Sequence, residues 1–463
     1  MALANDVAWM GVRELGTRLR GGEFTAVDLA RFFLDRIEQK AKPLNAVVTV
    51  TAERALDEAR QADEDLAAGR DRGPLHGIPY GAKDLLSTRG IATTWGAACF
   101  KQQVIDEDAT VIRRLREAGA VLAAKLSMVE LAGGLGYDQA NASFTGPGLN
   151  PYDNSAWSGG SSSGPGSAVG AGAVPFAIGS ETSGSIMTPA GYCGVTGLRP
   201  TYGRVSRHGA MALSWSMDKL GPLSRTADDC GLVLAAIAGH DPLDPSSSER
   251  AYAYTLDQQP PFRLATLKGI ADHVQPEVKA NYQRSLEVLR PFSTLSEVEL
   301  PDLPYGMVAG TIIACEMAAA FEGLLADGGV WQMTAPEDRL GLHAALLIPA
   351  KDYINAQRIR VKIQQALDSL VAPYDALVAP TLASVAGPID KPFSEYQRGF
   401  STRELTPAGN VAGLPALTMP NGFGERGLPT GLKLIGRAFE ENRLLAIARK
   451  YQQLTDWHRR RPF

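Results

Sequence analysis

Cysteine and histidine are both scarce in this 463-residue chain. There are four cysteines, Cys99, Cys193, Cys230 and Cys315, with no C-x-x-C pair. That pattern argues against a disulfide framework or a zinc ribbon and fits a reducing, cytoplasmic setting. Charge of one sign is lacking as well: the net charge of −4 gives no reason to expect nucleic acid or an anionic membrane as partner. The one basic run, Arg459-Arg460-Arg461, is short and reads as a solvated tail. No apolar run is long enough to span a bilayer. The longest, Met307–Ala326, is broken by Glu316 and Glu322 and predicts a buried or half-buried helix. The first 25 residues mix polar and apolar types with Arg13, Arg18 and Arg20, which is not a signal-peptide pattern. No repeat, low-complexity tract, metal-ligand motif or cofactor motif stands out, so neither a metal nor a cofactor is expected.

What is present is a globular composition, 45% hydrophobic and 21% charged, enough for a sizeable core. Thr25-x-x-Asp28 resembles a capping box ahead of Ala30, Phe33, Leu34 and Ile37 at helical spacing. Ala46–Val50 reads as a strand, followed by a helix striped with Ala52, Ala55, Leu56, Ala59, Ala62 and Leu66 and stopped by Gly69. The segment GPLHGIPYGAKDLL has strand character and ends in Lys83-Asp84; Asp108 is placed to cap the helix DATVIRRLREAG, and VLAAK after it is a buried strand. This alternation favours α/β layering, with helices on both faces of a sheet.

The most informative stretch is residues 158–200, where serine–glycine clusters around Ser161 and Ser185 flank small and apolar residues. Glycines let backbone N–H groups approach a ligand, and a serine hydroxyl supplies a nucleophile or proton shuttle. Serine is a weak nucleophile until a base takes its proton. Of the six histidines (His76, His208, His240, His273, His343, His458), only His76 lies in a plausible loop, and a structural role suits it better. A buried lysine is the alternative base. Lys83, at the end of an apolar strand, fits that role, with Lys125 in VLAAKLS competing. Gly160-Ser161-Ser162-Ser163-Gly164 matches the G-x-S-x-G nucleophile elbow around Ser162, but the strand that must precede an elbow is missing. Gly164-x-Gly166 followed by Gly170 mimics a dinucleotide fingerprint, again without its strand; a helix of small residues packed closely on its neighbours explains it better.

Taken together, LHGIPYGAKD, GGSSSG, GSETSGSIMTPAGYCGVTGLRPTYGRVS, MDKLGPLSRTADD and the late GLPALTMPNGFGERGLPTGLKLIG resemble the amidase signature family of serine hydrolases. The resemblance covers most of the chain and is weakest between about 245 and 375. It implies one large domain over 1–463, built on a central mixed, twisted β-sheet covered by helices. The core signature would span 76–230, a variable substrate-pocket segment about 245–375, and a return to the core 376–463. It also implies a Ser–cis-Ser–Lys triad: Ser185 as nucleophile, Ser161 after a cis Gly160–Ser161 peptide bond as bridge, and Lys83 as base. The backbone N–H groups of Thr182, Ser183, Gly184 and Ser185 would form the oxyanion hole. The family usually has Asp where Glu181 stands and commonly Arg where Met187 stands, so a structural ion pair near the nucleophile is expected to be lost.

Two kinds of member are compatible with these motifs. One is a free-standing enzyme, a monomer or homodimer, hydrolysing small amides, aryl amides or carbamates, with urethanase or esterase side activity. The other is the glutaminase subunit of a tRNA-dependent amidotransferase complex. Glutamine users usually carry an acidic residue before T-x-P-x-N and an E-V-K-R-R stretch upstream. Here STRELTPAGN places Arg403 at that position with Glu404 beside it, and RLGLHAALLIP replaces the basic stretch, which favours the free-standing enzyme. The resemblance puts Gly133, Gly134, Leu135, Gly136, Tyr137, Ile312 and Cys315 on the substrate pocket. These are mostly small or apolar and suit an uncharged acyl or aryl group.

Overall fold

Eleven strands join into one sheet, and their burial explains why they do. The strands are β1 (Val47–Val50), β2 (Pro79–Lys83), β3 (Val121–Leu126), β4 (Phe176–Glu181), β5 (Thr196–Arg199), β6 (Lys219–Ser224), β7 (Phe262–Leu267), β8 (Ser293–Val298), β9 (Ala376–Pro380), β10 (Ala416–Phe423) and β11 (Pro429–Ile435). Their spatial order is β1-β3-β2-β4-β6-β5-β10-β11-β9-β7-β8. Every residue of β2, β3, β4, β5, β6, β9 and β11 is buried. A strand buried at every position is covered on both faces. The two edge strands differ: β1 is half-buried throughout, and β8 is half-buried at three positions and exposed at the other three. The computed structural model describes residues 3–402 and 404–462.

The sheet is mixed. β2 runs parallel to β3 and β4, β7 runs parallel to β8 and β9, and the strands between them are antiparallel. This is the single α/β domain that the alternation of elements predicts. The capping box forms as expected: Thr25 accepts from the N–H of Asp28 and the Asp28 carboxylate accepts from Thr25, opening the helix Ala26–Arg36. The expectation for Asp108 fails. Ala109 is the N-cap, and the Asp108 carboxylate instead accepts from the Arg89 N–H and pairs with Arg54 and Arg116.

The helix Ser163–Gly170 is wholly buried. A Cβ on Gly164 would lie 2.5 Å from the Ala46 carbonyl oxygen and from the Ser127 nitrogen, so only glycine lets this helix sit down on its neighbours. The long apolar stretch forms two helices, Tyr305–Ala320 and Glu322–Ala326. Among the described residues no helix is long and apolar enough to cross a membrane. Lys83 closes β2 and Glu181 closes β4, so these parallel neighbours deliver both residues to the same carboxyl-end edge, where α/β sheets place their sites.

Candidate active site

Lys83 is completely buried, and its Nζ donates to Ser161 Oγ at 2.7 Å and to Ser180 Oγ at 2.8 Å. No carboxylate pairs with it among the described residues. Burial drives its ammonium down to about 7, with the charges of Asp218 and Glu181 opposing only in part; an unpaired buried ammonium is the costly form. The competing lysine has a different environment. Lys125 is equally buried, yet its Nζ sits 2.9 Å from Asp84 and donates to Thr93. That separates the two: Lys125 is half of an internal ion pair, and Lys83 faces hydroxyls.

The Gly160–Ser161 peptide bond is cis, as the resemblance implies. Ser162 donates its N–H to the Ser185 carbonyl at 3.2 Å and its hydroxyl to the Ser180 carbonyl at 3.1 Å. The two serine loops are thereby pinned together, and Ser162 is committed to holding them. No strand precedes it, so the nucleophile elbow does not form. Ser185 lines a cavity, and its hydroxyl has no hydrogen-bond partner among the described residues.

Behind Ser185 lies a buried ionic cluster that the motifs did not reveal. Glu181 accepts from the N–H groups of Ile186 and Met187 at 2.9 and 3.0 Å, from Arg199 at 2.7 Å and from Asn410 at 3.0 Å. Burial would raise this carboxyl, but Arg199 and Lys219 outweigh burial and hold it at about 2. Lys219 in turn donates to the Thr182 carbonyl and to Asn410. The expected loss of an ion pair at Met187 is therefore corrected: Arg199, on β5 across β6 from β4, supplies the cation. With Glu181 holding the far side of the turn, the N–H groups of Ser183, Gly184 and Ser185 donate to no acceptor among the described residues. A nucleophile surrounded by free N–H groups is the arrangement an oxyanion requires.

The cavity in front of Ser185 has a volume of about 440 Å³, and among the described residues no charged side chain lines it. Gly133, Gly134, Gly136 and Tyr137 line it as expected, and so do Thr182 and Ser183. Leu135 does not; it turns into the core. Ile312 and Cys315 are corrected too. Ile312 is fully buried, Cys315 is half-buried, and the helix presents Gly310, Ile313 and Ala314 to the cavity instead. Sequence reasoning missed the aromatic wall: Trp157 stacks on Phe393 at 4.2 Å, and Tyr137 meets Phe393 edge-on at 5.8 Å. These residues lie far apart in sequence, and no motif joins them. His76 stands before the opposite end of β2, beside a second cavity of about 350 Å³ with Arg72 and Arg116. Arg403 lies outside the described residues, while Glu404 accepts from the Gly306 N–H at 3.0 Å and is absent from the lining. No group of three or more His, Cys, Asp or Glu side chains among the described residues is placed to hold a metal ion.

Fold and site define an α/β protein whose sheet edge brings a buried lysine facing hydroxyls, two serine loops and free backbone donors to one cavity. A family model described as Amidase matches residues 28–445. A glutamyl-tRNA(Gln) amidotransferase subunit of Moorella thermoacetica is 38% identical over 99% of both chains. Native peptide amidase from Stenotrophomonas maltophilia superposes with a TM-score of 0.84 at 32% identity over 96% of both chains. A structure reported for a vestigial protein complex bearing on the origins of an s-triazine catabolic enzyme reaches a TM-score of 0.87 at 31% identity, over 96% of this chain and 98% of that one. The chain belongs to the amidase signature family and is an enzyme acting on amide C–N bonds.

Proposed function

We propose that this chain hydrolyses amides of uncharged acyl groups through an acyl-enzyme on Ser185. The observation that carries the reading is Lys83: buried, unpaired, near neutral, and 2.7 Å from Ser161. Neutral Lys83 takes the Ser161 proton, Ser161 takes the Ser185 proton, and Ser185 Oγ bonds to the substrate carbonyl carbon. The N–H groups of Thr182, Ser183, Gly184 and Ser185 hold the resulting oxyanion, a contribution of about 3 kcal/mol for each donor of this kind. Lys83 then returns its proton through Ser161 to the amide nitrogen, because an amide anion leaves poorly. The C–N bond breaks and the amine departs. Water repeats the relay to free the acid. Carbamates fit the same relay.

The uncharged lining among the described residues supports the acyl preference, since a buried ammonium or carboxylate without a partner is costly. A second reading rests on likeness. Curated relatives at 38% identity over nearly the whole chain are named as amidotransferase components, and on likeness alone the glutaminase-subunit reading is the better supported, with partner chains to match. The test is direct. Treat the chain with a fluorophosphonate, map the adduct, and compare hydrolysis of glutamine with that of an uncharged amide. We expect one adduct, on Ser185, lost in Lys83→Ala, with turnover of the uncharged amide only. Ammonia release from glutamine at the greater rate would establish the glutaminase reading, and an adduct on Ser162 would overturn both.

A further inference from the structure

One side of the cavity is held by two buried carboxyls that the relay does not use. Glu130 opens the short turn Glu130–Gly133, which leads into the cavity wall Gly133–Tyr137. Inside that turn Leu131 and Ala132 take φ of 47° and 60°. Left-handed backbone of this kind costs a non-glycine residue about 1–3 kcal/mol and persists only where its surroundings enforce it. The Glu130 and Leu131 N–H groups tie the turn to the Ala142 and Trp95 carbonyls, and the helix Pro336–Ala345 holds its other side. Glu130 accepts the N–H groups of Thr334 and Ala335, at 2.8 and 2.9 Å, just ahead of that helix. Asp338, in the helix's first turn, accepts the Tyr137 N–H at 3.0 Å. Gly341 seats on the wall so closely that a Cβ there would lie 1.7 Å from the Leu135 carbonyl oxygen.

Both carboxyls are fully buried, and their hydrogen bonds are uneven. Both Glu130 oxygens receive N–H donors, as does Asp338 Oδ1. Asp338 Oδ2 is buried without a hydrogen-bond partner among the described residues, and the Glu130 carboxyl lies close enough to act on it. Two carboxylates side by side in the interior do not both ionise; one keeps a proton. The pattern identifies which. Glu130 needs its lone pairs for the helix N–H groups, so the proton resides on Asp338 Oδ2 and is donated to Glu130. Neither carboxyl has an ion pair with Lys or Arg among the described residues. The groups facing them are Glu337 in the same helical turn, which accepts from Gln139, Tyr137 of the wall, and Cys99 of the turn Ala98–Phe100; Arg339 gives its Nε to the Met333 carbonyl.

We propose that Glu130 and Asp338 are positioning residues for substrate binding: the proton held between them docks the helix Pro336–Ala345 on the wall Gly133–Tyr137 and so sets the affinity of the cavity. The inference rests on the reading that this cavity receives the substrate. Burial first, then the charge of Glu130, pushes the Asp338 carboxyl up to about 8. The pair is therefore intact at neutral pH and is lost as pH rises through that value, when two like charges face each other. If only the docked wall binds substrate, KM scales inversely with the docked fraction and rises on the order of tenfold between about pH 7 and pH 9.

The experiment is steady-state kinetics of the full chain on an uncharged amide across that range, for wild type, Asp338→Asn and Asp338→Ala. In Asp338→Asn the amide NH2 donates to Glu130 permanently while Oδ1 still accepts from Tyr137, so KM should match wild type at pH 7 and stay flat to pH 9. Asp338→Ala should raise KM at every pH, with kcat following the wild-type profile. Glu130→Gln should not substitute, because its nitrogen would face a helix N–H. A wild-type KM that is flat with pH, or whose rise survives in Asp338→Asn, overturns the proposal. Infrared difference spectra supply a readout without substrate. A protonated-carboxyl component should be present at pH 7, fade as pH rises through about 8, and be missing in Asp338→Asn. Its absence refutes the acid pair. Its presence in a protein that hydrolyses no amide refutes only the catalytic reading.

Discussion

Replacing Glu181 by Gln keeps the side chain's shape and removes one charge, which makes it a clean probe of the scaffold under the nucleophile. The carboxylate accepts four hydrogen bonds, two from the turn at Ile186 and Met187 and two from Arg199 and Asn410. A carboxamide has one acceptor oxygen, so in either orientation its NH2 group faces two donors. Removing one partner of a buried ion pair costs about 3–5 kcal/mol. Linkage supplies a separate figure. A carboxyl held at about 2 rather than the ordinary 4.5 contributes roughly 3 kcal/mol at neutral pH. Because this pKa is depressed on folding, the contribution is complete above about 4.5 and disappears as pH falls toward 2. Urea unfolding at pH 7 should show Glu181→Gln less stable by about 3–5 kcal/mol, with a gap that narrows at about pH 3. A gap below about 1 kcal/mol at pH 7, or one that does not narrow with acid, refutes the reasoning. Fluorophosphonate labelling of Ser185 should slow in parallel, since the turn that frees the loop N–H groups is the one Glu181 holds.

Two further outcomes separate the buried lysines. Turnover should climb as pH rises through about 7, where the Lys83 amine loses its proton; a steady decline from pH 6 to 9 on folded protein excludes the neutral-lysine base. Lys83→Met should cut the labelling rate of Ser185 by about a thousandfold or more. Lys125→Met strands Asp84 in the interior and should destabilise the chain by about 3–5 kcal/mol, measured by urea unfolding, while Ser185 in the folded protein still labels.

The elements legible in the sequence were those set by local pattern. The capping box at Thr25 and Asp28, the buried strand VLAAK and the helix of small residues around Gly164 follow from composition over a few residues, and the structure forms all three. Lys83 and Lys125 looked alike because both end or interrupt buried strands; what distinguishes them is the carboxylate that faces Lys125 and not Lys83, a contact across strands. Arg199 was invisible for the same reason. It is 18 residues beyond Glu181 and reaches it only because β5 and β4 both flank β6. Ile312 and Cys315 show how small an error misplaces a helical residue. One position is a rotation of about 100°, so the cavity sees Gly310, Ile313 and Ala314 while Ile312 is buried in the core and Cys315 is half-buried off the lining. Asp108 failed as a cap because three arginine-bearing segments compete for its carboxylate, and a capping pattern read locally does not register competitors brought by the fold.

The uncharged side chains described on the cavity lining also bear on how the enzyme would behave in real solutions. Long-range steering draws oppositely charged ligands into a cleft and fades as counter-ions screen it. Among the described residues the cavity is lined by Tyr137, Trp157, Phe393 and small or uncharged residues, which generate no such pull. Capture of an uncharged amide by this chain would thus depend little on ionic strength. In a mixture crowded with ionic metabolites, the cavity would sort them by the hydration they refuse to give up.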